Sequence, residues 1–559
     1  MDSFPLLSVM AYAPLVGALI LFFVPRASLQ MTRSVALISS LVSFVLSVIM
    51  LGAFDKDASF QFEERVTWLN DLGVAYHMGV DGIAVLLIGL TTLLSVIAII
   101  WSWDTVTTRT REYYIALLLL ETGMLGVFMA VDLFLFYIFW EVMLIPMALL
   151  IGVWGSSNRV YAAVKFFLYT LAGSLLMLVG IVATYQKYFE TTGVRTLNIL
   201  ELQTGWDKGA YSDVFQGLAF AAFLIAFAVK VPMFPLHTWL PDAHVEAPTA
   251  ASVILAAILL KMGGYGMLRF NLPLFPEGTE DWAIPIVILS VIAVLYGAFV
   301  ALVQPDLKKL VAYSSVSHMG FVTLGIFVAV LAAERDRIAG VANIEQYLNG
   351  LNGSMMVMLA HGFNTGALFL LVGVIYERAH TRLIAAFGGL ASRMPVYSAF
   401  FMLFMLASIG LPGLSGFVGE FLVALGTWQW NKWAAFFTFA VVIFAAWYMM
   451  WMFQRVIFGR RPEQPPDPHD AELTPEERAL LAAHGHGHAP APVSGASHDH
   501  DEHGGGIDWR DLTTKEAITL IPLAIATIVA GVYPKPIFEI VQPSFERILQ
   551  PFLRGPLGG

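Results

Sequence analysis

The sequence predicts an all-α polytopic membrane protein, and three observations lead to that class. The chain of 559 residues is 58% hydrophobic and only 13% charged. Its mean hydropathy is +0.73. Its apolar runs repeatedly reach the roughly 20 residues that a helix needs to cross a bilayer, and they predict about fourteen transmembrane helices. The predicted spans are residues 5–24, 34–53, 81–101, 113–130, 132–153, 160–188, 213–233, 247–270, 283–303, 309–331, 350–376, 396–425, 433–458 and 516–533.

Basic residues in the short loops predict the orientation, because loops on the cytoplasmic side carry an excess of Lys and Arg. With the amino terminus outside, the inside loops carry Arg26, Arg33, Arg109, Arg111, Arg159, Lys308, Lys309, Arg378, Arg382, Arg393, Arg455, Arg460 and Arg461. The opposite loops are acidic or mixed. We therefore expect an integral protein of the bacterial inner membrane with both termini in the periplasm. No basic segment precedes the first apolar run, so no cleavable signal peptide is expected.

One long segment, residues 459–515, lacks the apolar run of a transmembrane helix. It is rich in Pro, Gly, His and acidic residues, and it predicts a mobile inside loop. Six histidines lie between His484 and His503, which suggests either a divalent-metal tract or a solvated linker; the absence of any implied ligand geometry favours the linker. The chain has no cysteine, which excludes disulfides, thiolate-bound iron–sulfur clusters and cysteine-bound zinc.

Ionisable residues inside apolar spans are the strongest functional signal, since a charge in hydrocarbon costs a few kcal/mol or more. Glu141 lies about nine residues into its span, near the middle of the membrane. A lone carboxylate there would be neutral, whereas a lysine nearby would keep it ionised. This dependence on a partner favours a proton switch over the alternative, a fixed ion pair that joins two helices.

Two lysines lie on the next pair of spans. Lys230 is followed at once by Pro232 and Pro235, so its helix should break just past the lysine, at an elbow that water can reach; the alternative is a lysine that extends to the inner interface. Lys261 lies deeper in its span, between SVILAAILL and the small residues of MGGYGM. It is the better candidate for a buried proton carrier.

Histidines supply further proton-transfer candidates, since imidazole titrates near neutral pH. His318 is expected to relay protons, whereas His361 fits a relay or a neutral ring bonded to a backbone carbonyl equally well. His237, Asp242 and His244 follow the predicted break. They could form a proton-uptake path or cap the next helix.

Glu420 closes the series and lies beside a second helix breaker, LPGLSG. Paired interruptions about five helices apart indicate a transporter built from repeats with its ion site between them. Glu121 is a further intramembrane acid that either tunes the surroundings of Glu141 or faces a neighbouring subunit. The predicted division is residues 1–112 for helices 1–3, 113–270 for the first repeat (helices 4–8), 283–458 for the second (helices 9–13), 459–515 for the inside loop, and 516–559 for helix 14 and a tail.

Four stretches carry a family resemblance. These stretches resemble the antiporter-like membrane subunits of respiratory complex I. They are FWEVMLIPM, KVPMFPLHTWLPDAHVEAPTAASVILAAILLKMGGYG, QPDLKKLVAYSSVSHMGF and LPGLSGFVGEF. The similarity is strongest over residues 80–460. Within that set, Glu420 is discriminating, since the sister subunits and related cation/proton antiporter subunits usually have lysine there. The His-rich loop departs from the usual pattern.

The resemblance implies a fourteen-helix fold with two inverted five-helix repeats, each with a discontinuous helix. It also implies a central polar axis of Glu141, Lys230, Lys261, His318 and Glu420 that moves protons. NADH, FMN, iron–sulfur clusters and quinone are expected in partner subunits and not in this chain. Partners would be other membrane-arm subunits, with sister antiporter-like subunits on either side, and lipid, but no nucleic acid. The rival interpretations are a sodium/proton antiporter subunit and a purely structural membrane spacer.

Overall fold

The computed structural model describes residues 4–56, 60–340, 344–460 and 509–554. The histidines between His484 and His503 lie outside these ranges. Within them the chain is mostly helical, as predicted. The main helices are α1 (Leu6–Phe23), α2 (Leu29–Ala53), α3 (Gly82–Thr105), α4 (Thr110–Met129), α5 (Leu133–Trp154), α6 (Arg159–Thr192), α7 (Asp213–Lys230), α8 (Trp239–Glu246), α9 (Thr249–Leu274), α10 (Pro276–Leu302), α11 (Leu307–Ile338), α12 (Ile344–Ala379), α13 (Pro395–Ser408), α14 (Ser415–Trp430), α15 (Lys432–Phe458), α16 (Thr514–Val532) and α17 (Lys535–Arg554).

The number of membrane crossings agrees with the sequence prediction. Among the described helices, thirteen are long and apolar enough to cross a membrane. The shorter α13 and α14 follow one another around a break and together account for a further crossing. The fold class is therefore confirmed, whereas the inverted relation of the two five-helix repeats stays a prediction.

Both predicted helix breaks are present. Helix α7 ends at Lys230, directly before Pro232, whose ring removes a backbone donor and blocks the helix from continuing. The second break separates α13 from α14. There, Gly410 and Gly413 have φ angles of +77° and +92°, in the left-handed region that glycine adopts without steric cost.

A small β-hairpin was not predicted. Strand β1 (Gln61–Leu69) pairs with the antiparallel strand β2 (Val74–Val80). Strand β1 is mostly exposed, so its sequence lacks the alternation of apolar and polar residues that predicts a half-buried strand. The connecting turn needs Gly73, which has φ +68° and lies against the backbone of Arg195.

The tail predicted after helix 14 contains a further helix. Residues 535–554 form α17, which packs against α3, α11 and α12. Its buried side chains recur at helical spacing and form a single apolar face. They are Val541, Phe545, Ile548, Leu549 and Phe552.

Both described ends of the chain lie on the face that carries the β-hairpin. Near the amino terminus, Glu64 of β1 accepts a hydrogen bond from the Leu7 amide at 2.7 Å. Near the carboxyl terminus, the Arg547 guanidinium lies 5.6 Å from the centre of the Phe60 ring. The loops rich in arginine, which we call the basic face, lie at the other ends of the helices.

Candidate functional site

Lys261 lies at the centre of the buried polar groups and is fully enclosed by protein. It follows a π-helical turn in α9 (Leu255–Leu259), a wide turn that is found mostly at functional sites. The Lys261 ammonium donates to the Ala256 carbonyl at 2.7 Å and contacts His361 Nδ1 of α12 at 2.6 Å. The predicted burial of Lys261 within its helix is confirmed. Lys261 also has a direct acid–base partner, His361.

His361 leads on to His318 and Glu420. The His361 and His318 rings meet edge to face with centroids 5.7 Å apart. His318 Nδ1 of α11 lies 2.8 Å from Glu420 Oε1 of α14. The His361 ring has Lys261 as a hydrogen-bond partner among the described residues, and its role as a relay stays a prediction. Four helices thus bring together a connected set, Lys261–His361–His318–Glu420, which we call the proton row.

A small cavity joins the middle of the proton row. It measures about 10 Å³ and is lined by His318, His361, Ser408 and Glu420, among others. This volume is about that of one enclosed water molecule. His361 Nε2 and the Ser408 hydroxyl are both buried and have no hydrogen-bond partner among the described residues. The space can therefore hold a water that connects His361 to the carboxylate.

The predicted Glu141–Lys230 ion pair is not formed in this structure. Lys230 is 1% exposed, and its ammonium has no hydrogen-bond partner in the described part of the chain. The ammonium lies 5.3 Å from the Trp140 ring centre and 5.6 Å from that of Phe166, distances typical of cation–π contacts. Glu141 still acts on Lys230 through its charge. The two groups are therefore near each other but out of contact.

The predicted axis has no direct contact between its two lysines in the described residues, and proton transfer between them through water stays a prediction. No hydrogen bond between described residues links Lys230 to Lys261. The set Glu141–Lys230 and the proton row are therefore two separate groups within one bundle, and only the second is connected by direct contacts.

The residues after the break do not cap the next helix, so that alternative is wrong. Helix α9 begins after Pro248, which makes no side-chain capping bond. His237 stacks against Phe234 and Tyr296, and its pKa is lowered by burial and by the nearby Lys165 charge. Asp242 pairs with Lys165 of α6 at 2.7 Å.

His244 lies in α8, in the region between α7 and α9. It stacks on Phe369 with ring centroids 4.7 Å apart, and both of its ring nitrogens are buried without a described hydrogen-bond partner. Burial, followed by the charges of Lys308 and Lys261, holds the pKa of His244 well below its usual value. A neutral imidazole in this position has one nitrogen free to accept a proton.

Glu121 does not face a neighbouring subunit. It is 1% exposed and accepts a hydrogen bond from the Ser40 hydroxyl at 3.0 Å. It lines a small apolar cavity between α3, α4 and α9. It is therefore enclosed within the chain and belongs to neither group of the site.

Two lysines that are buried or half-buried, Lys165 and Lys308, were not predicted as site candidates from the sequence. Lys165 interrupts an apolar span, which is the same signal that identified Lys230 and Lys261. Lys308 is 4% exposed, although its sequence position next to Lys309 suggested a loop residue. Within the described ranges, no group of three or more His, Asp or Glu side chains lies close enough to hold a metal ion.

Comparisons with known proteins agree with this architecture. The family model described as NADH:quinone oxidoreductase/Mrp antiporter, transmembrane region, matches residues 130–445. NADH-quinone oxidoreductase subunit M of Rhodobacter capsulatus is 45% identical to this chain, over 98% of this chain and 96% of that protein.

Two solved structures have the same fold. A chain of respiratory complex I from Thermus thermophilus with bound NADH matches with a TM-score of 0.78 and 29% identity, over 98% of this chain and 100% of that chain. A chain of the Mrp complex from a Dietzia species matches with a TM-score of 0.76 over 98% of this chain and 99% of that one, but at 21% identity it shows the fold alone. The chain belongs to the family of antiporter-like membrane subunits that includes NADH-quinone oxidoreductase subunit M.

Proposed function

We propose that this chain is the proton-translocating membrane-arm subunit of an NADH-quinone oxidoreductase, and that its protons move along the proton row. The observation that supports this most strongly is the pair of buried contacts at the two ends of the row, Lys261–His361 at 2.6 Å and His318–Glu420 at 2.8 Å. A membrane scaffold has no need of four linked ionisable groups in its interior, where each is costly to bury.

The row can pass a proton by ordinary acid–base steps. The Lys261 ammonium donates toward His361 Nδ1, so the neutral ring carries its proton on Nε2. When Nδ1 accepts a proton from Lys261, Nε2 can release one into the small cavity. His318 and Glu420 accept it there, directly or through one water. Glu420 then delivers the proton toward the outer face.

Glu141 and Lys230 control the supply to this row. Glu141 is partly exposed on the surface of the bundle, whereas Lys230 is buried at the end of α7. A shift of Glu141 toward Lys230 favours the charged lysine, and its withdrawal favours release of a proton. The neighbouring subunit sets the position of Glu141. The separated arrangement seen here corresponds to the withdrawn state of that switch.

Redox chemistry drives the cycle from outside this chain. NADH, FMN, iron–sulfur clusters and quinone belong to partner subunits, in keeping with a sequence that has no cysteine for thiolate-bound clusters. Sister antiporter-like subunits cover exposed apolar surfaces at either end of the bundle, for example at Val179 of α6 and Ile443 of α15, and lipid covers the rest. The basic face is cytoplasmic, which places both termini in the periplasm of a bacterial inner membrane.

The decisive experiment replaces Glu141 or Lys230 with alanine in the assembled enzyme. NADH oxidation and proton pumping by membrane vesicles should fall together, because pumping and redox chemistry are coupled. Val142→Ala, which alters an exposed neighbour of Glu141, is the matched control. If the assembled complex keeps both activities in the Glu141 and Lys230 variants, the chain is a structural spacer.

The second candidate is a subunit of a sodium/proton antiporter, which is favoured by the family model, because its description names the Mrp antiporter beside the oxidoreductase. The two functions differ in their driving force. Sodium-dependent proton flux in membranes without NADH would support the antiporter. NADH-dependent pumping that is indifferent to sodium would support the oxidoreductase subunit.

A further inference from the structure

A large polar cavity opens on the basic face, away from the groups that the proposed function uses. It measures about 310 Å³ and lies between α3, α5, α9, α11 and α12. Charged side chains on its wall include Glu246, Lys308, Glu377 and Arg382. A cavity of this size and polarity holds many water molecules.

Lys308 lies at the inner end of this cavity. It is 4% exposed, and its ammonium donates to the Ala247 carbonyl at 2.8 Å, with the Ser252 hydroxyl 3.5 Å away. The nearby Asp306 pairs with Arg382 at 3.3 Å, and Lys308 forms no salt bridge with a carboxylate among the described residues. Lys308 is therefore a buried amine on the wall of a polar cavity, without a salt-bridge partner among the described residues.

His244 lies on the far side of Lys308. The Ser252 hydroxyl beside Lys308 also donates to the His244 carbonyl at 3.1 Å, which brings the two residues onto one side of α9. Lys308 and Lys261 both lie near enough to act on the His244 ring through their charges. His244 therefore lies near both the cavity wall and the start of the proton row.

We propose that this cavity is a second proton inlet, in which Lys308 accepts protons from water and His244 passes them to Lys261. The inference rests on the proposed function, because it supplies the same row. A hydronium ion in the cavity protonates the neutral Lys308 amine and leaves as water. The Lys308 ammonium then gives a proton to a His244 ring nitrogen through intervening water, and His244 gives one to the neutral Lys261 amine. Each step forms one N–H bond as an O–H or N–H bond breaks, so no oxidant or reductant is needed.

The first test compares four variants, Lys308→Met, Lys308→Arg, Lys309→Met and Lys261→Met, in vesicles that contain the assembled complex. Lys308→Met should lower NADH-driven proton pumping by at least about tenfold, because a positioned acid–base group contributes on the order of 10²–10⁴-fold to proton transfer. Lys308→Arg should be equally impaired, because a guanidinium keeps the charge but does not release a proton. Lys309→Met, which alters the exposed neighbouring lysine, should pump at the wild-type rate.

The outcomes separate the inlet from the proposed function. If Lys308→Arg pumps normally while Lys308→Met does not, Lys308 is a fixed cation and the inlet is wrong. If both variants pump normally while Lys261→Met is impaired, the inlet is wrong and the proton row stands. If Lys261→Met also pumps normally, the proposed function itself fails.

A second test measures whether water reaches the cavity. The chain has no cysteine, so a thiol label on it reports only an introduced position. Thr249→Cys, in the cavity wall, should react with a membrane-impermeant thiol reagent added at the basic face. Ser95→Cys, at a buried position of α3 outside the cavity wall, should remain unlabelled. Failure of Thr249→Cys to react from that face would overturn the inlet.

Discussion

The Glu141–Lys230 group and the proton row contain the same kinds of side chain but differ in how they are held. Lys230 has no hydrogen-bond partner among the described residues and rests between the rings of Trp140 and Phe166. Lys261 is held at 2.7 Å and 2.6 Å by two partners. The comparison indicates that the first group is built to change its arrangement, whereas the second is built to conduct.

Backbone structure explains this difference. Lys230 is the last residue of α7, where the break before Pro232 removes the support of a following helical turn. Lys261 lies within α9, which continues on both sides of it, and its ammonium donates to the Ala256 carbonyl of the preceding π-helical turn. A switch thus lies at a helix end and a relay lies inside a helix.

The largest effect is expected from removal of Lys261. Lys261→Met should reduce NADH-driven proton pumping by at least about tenfold, because the row loses its first proton donor and an acid–base group contributes on the order of 10²–10⁴-fold to proton transfer. The measurement is the rate of vesicle acidification at equal complex content. Lys432→Met, at an exposed lysine, is the control and should have no effect. Equal rates for the two variants would remove the basis for calling the row a relay.

The next prediction tests whether the row acts as one unit. His361→Gln and His318→Gln should each slow pumping by about tenfold, and the double variant should be no slower than the worse single variant, because groups that act in series are not additive. The same pumping assay checks this. Pairing His361→Gln with His77→Gln, at the hairpin face, should give simple additivity, since the second site is remote from the row. Additive losses for His318 and His361 would show that they act independently.

A smaller effect is expected at the separated pair. Glu141→Gln should lower pumping by roughly two- to fivefold, which corresponds to about 0.4–1 kcal/mol in a rate-limiting barrier, since Glu141 acts on Lys230 through its charge and not through a direct bond. Glu112→Gln, at a surface acid paired with Arg26 at 2.9 Å, is the matched control. A loss as large as that of Lys261→Met would mean that the pair is in contact during most of the cycle.

The smallest effect on turnover is expected at a buried pair outside both groups. Arg269 bonds Asp81 at 2.5 Å, and both side chains are nearly inaccessible. Arg269→Met should destabilise the assembled complex by about 3–5 kcal/mol, because it leaves a buried carboxylate unpaired. Turnover per assembled complex should be unchanged.

Thermal unfolding of the complex, measured alongside NADH oxidation, checks this prediction. Combining Arg269→Met with Asp81→Leu should recover much of the lost stability, since both charges are then absent. A fall in turnover without loss of stability would place Arg269 in the proton path instead.

Much of the fold could be predicted because its causes are local. Apolar runs of membrane length predict the spans, Pro232 predicts the end of α7, and the glycines near Gly410 predict the break before α14. The hairpin and α17 were missed because the mostly exposed strand β1 and the amphipathic helix α17 give weaker hydropathy signals than long apolar helices.

The site was only partly predictable. Ionisable residue types within apolar spans identify Lys230, Lys261 and Glu420, since burying charge is costly. The bond between Lys261 and His361 joins residues 100 positions apart, and only tertiary packing creates it. The same holds for the missing contact between Glu141 and Lys230. Lys308 looks like its neighbour Lys309 in sequence, and the difference in burial arises from the orientation of the first turn of α11.

The most direct test of the proton row measures both the rate of NADH oxidation and the number of protons translocated by a fully assembled Glu420→Gln complex. The substitution keeps the size of the side chain but removes the acid that ends the row. We expect pumping to collapse and NADH oxidation to fall with it. Wild-type oxidation with a wild-type proton count in this variant would contradict the account.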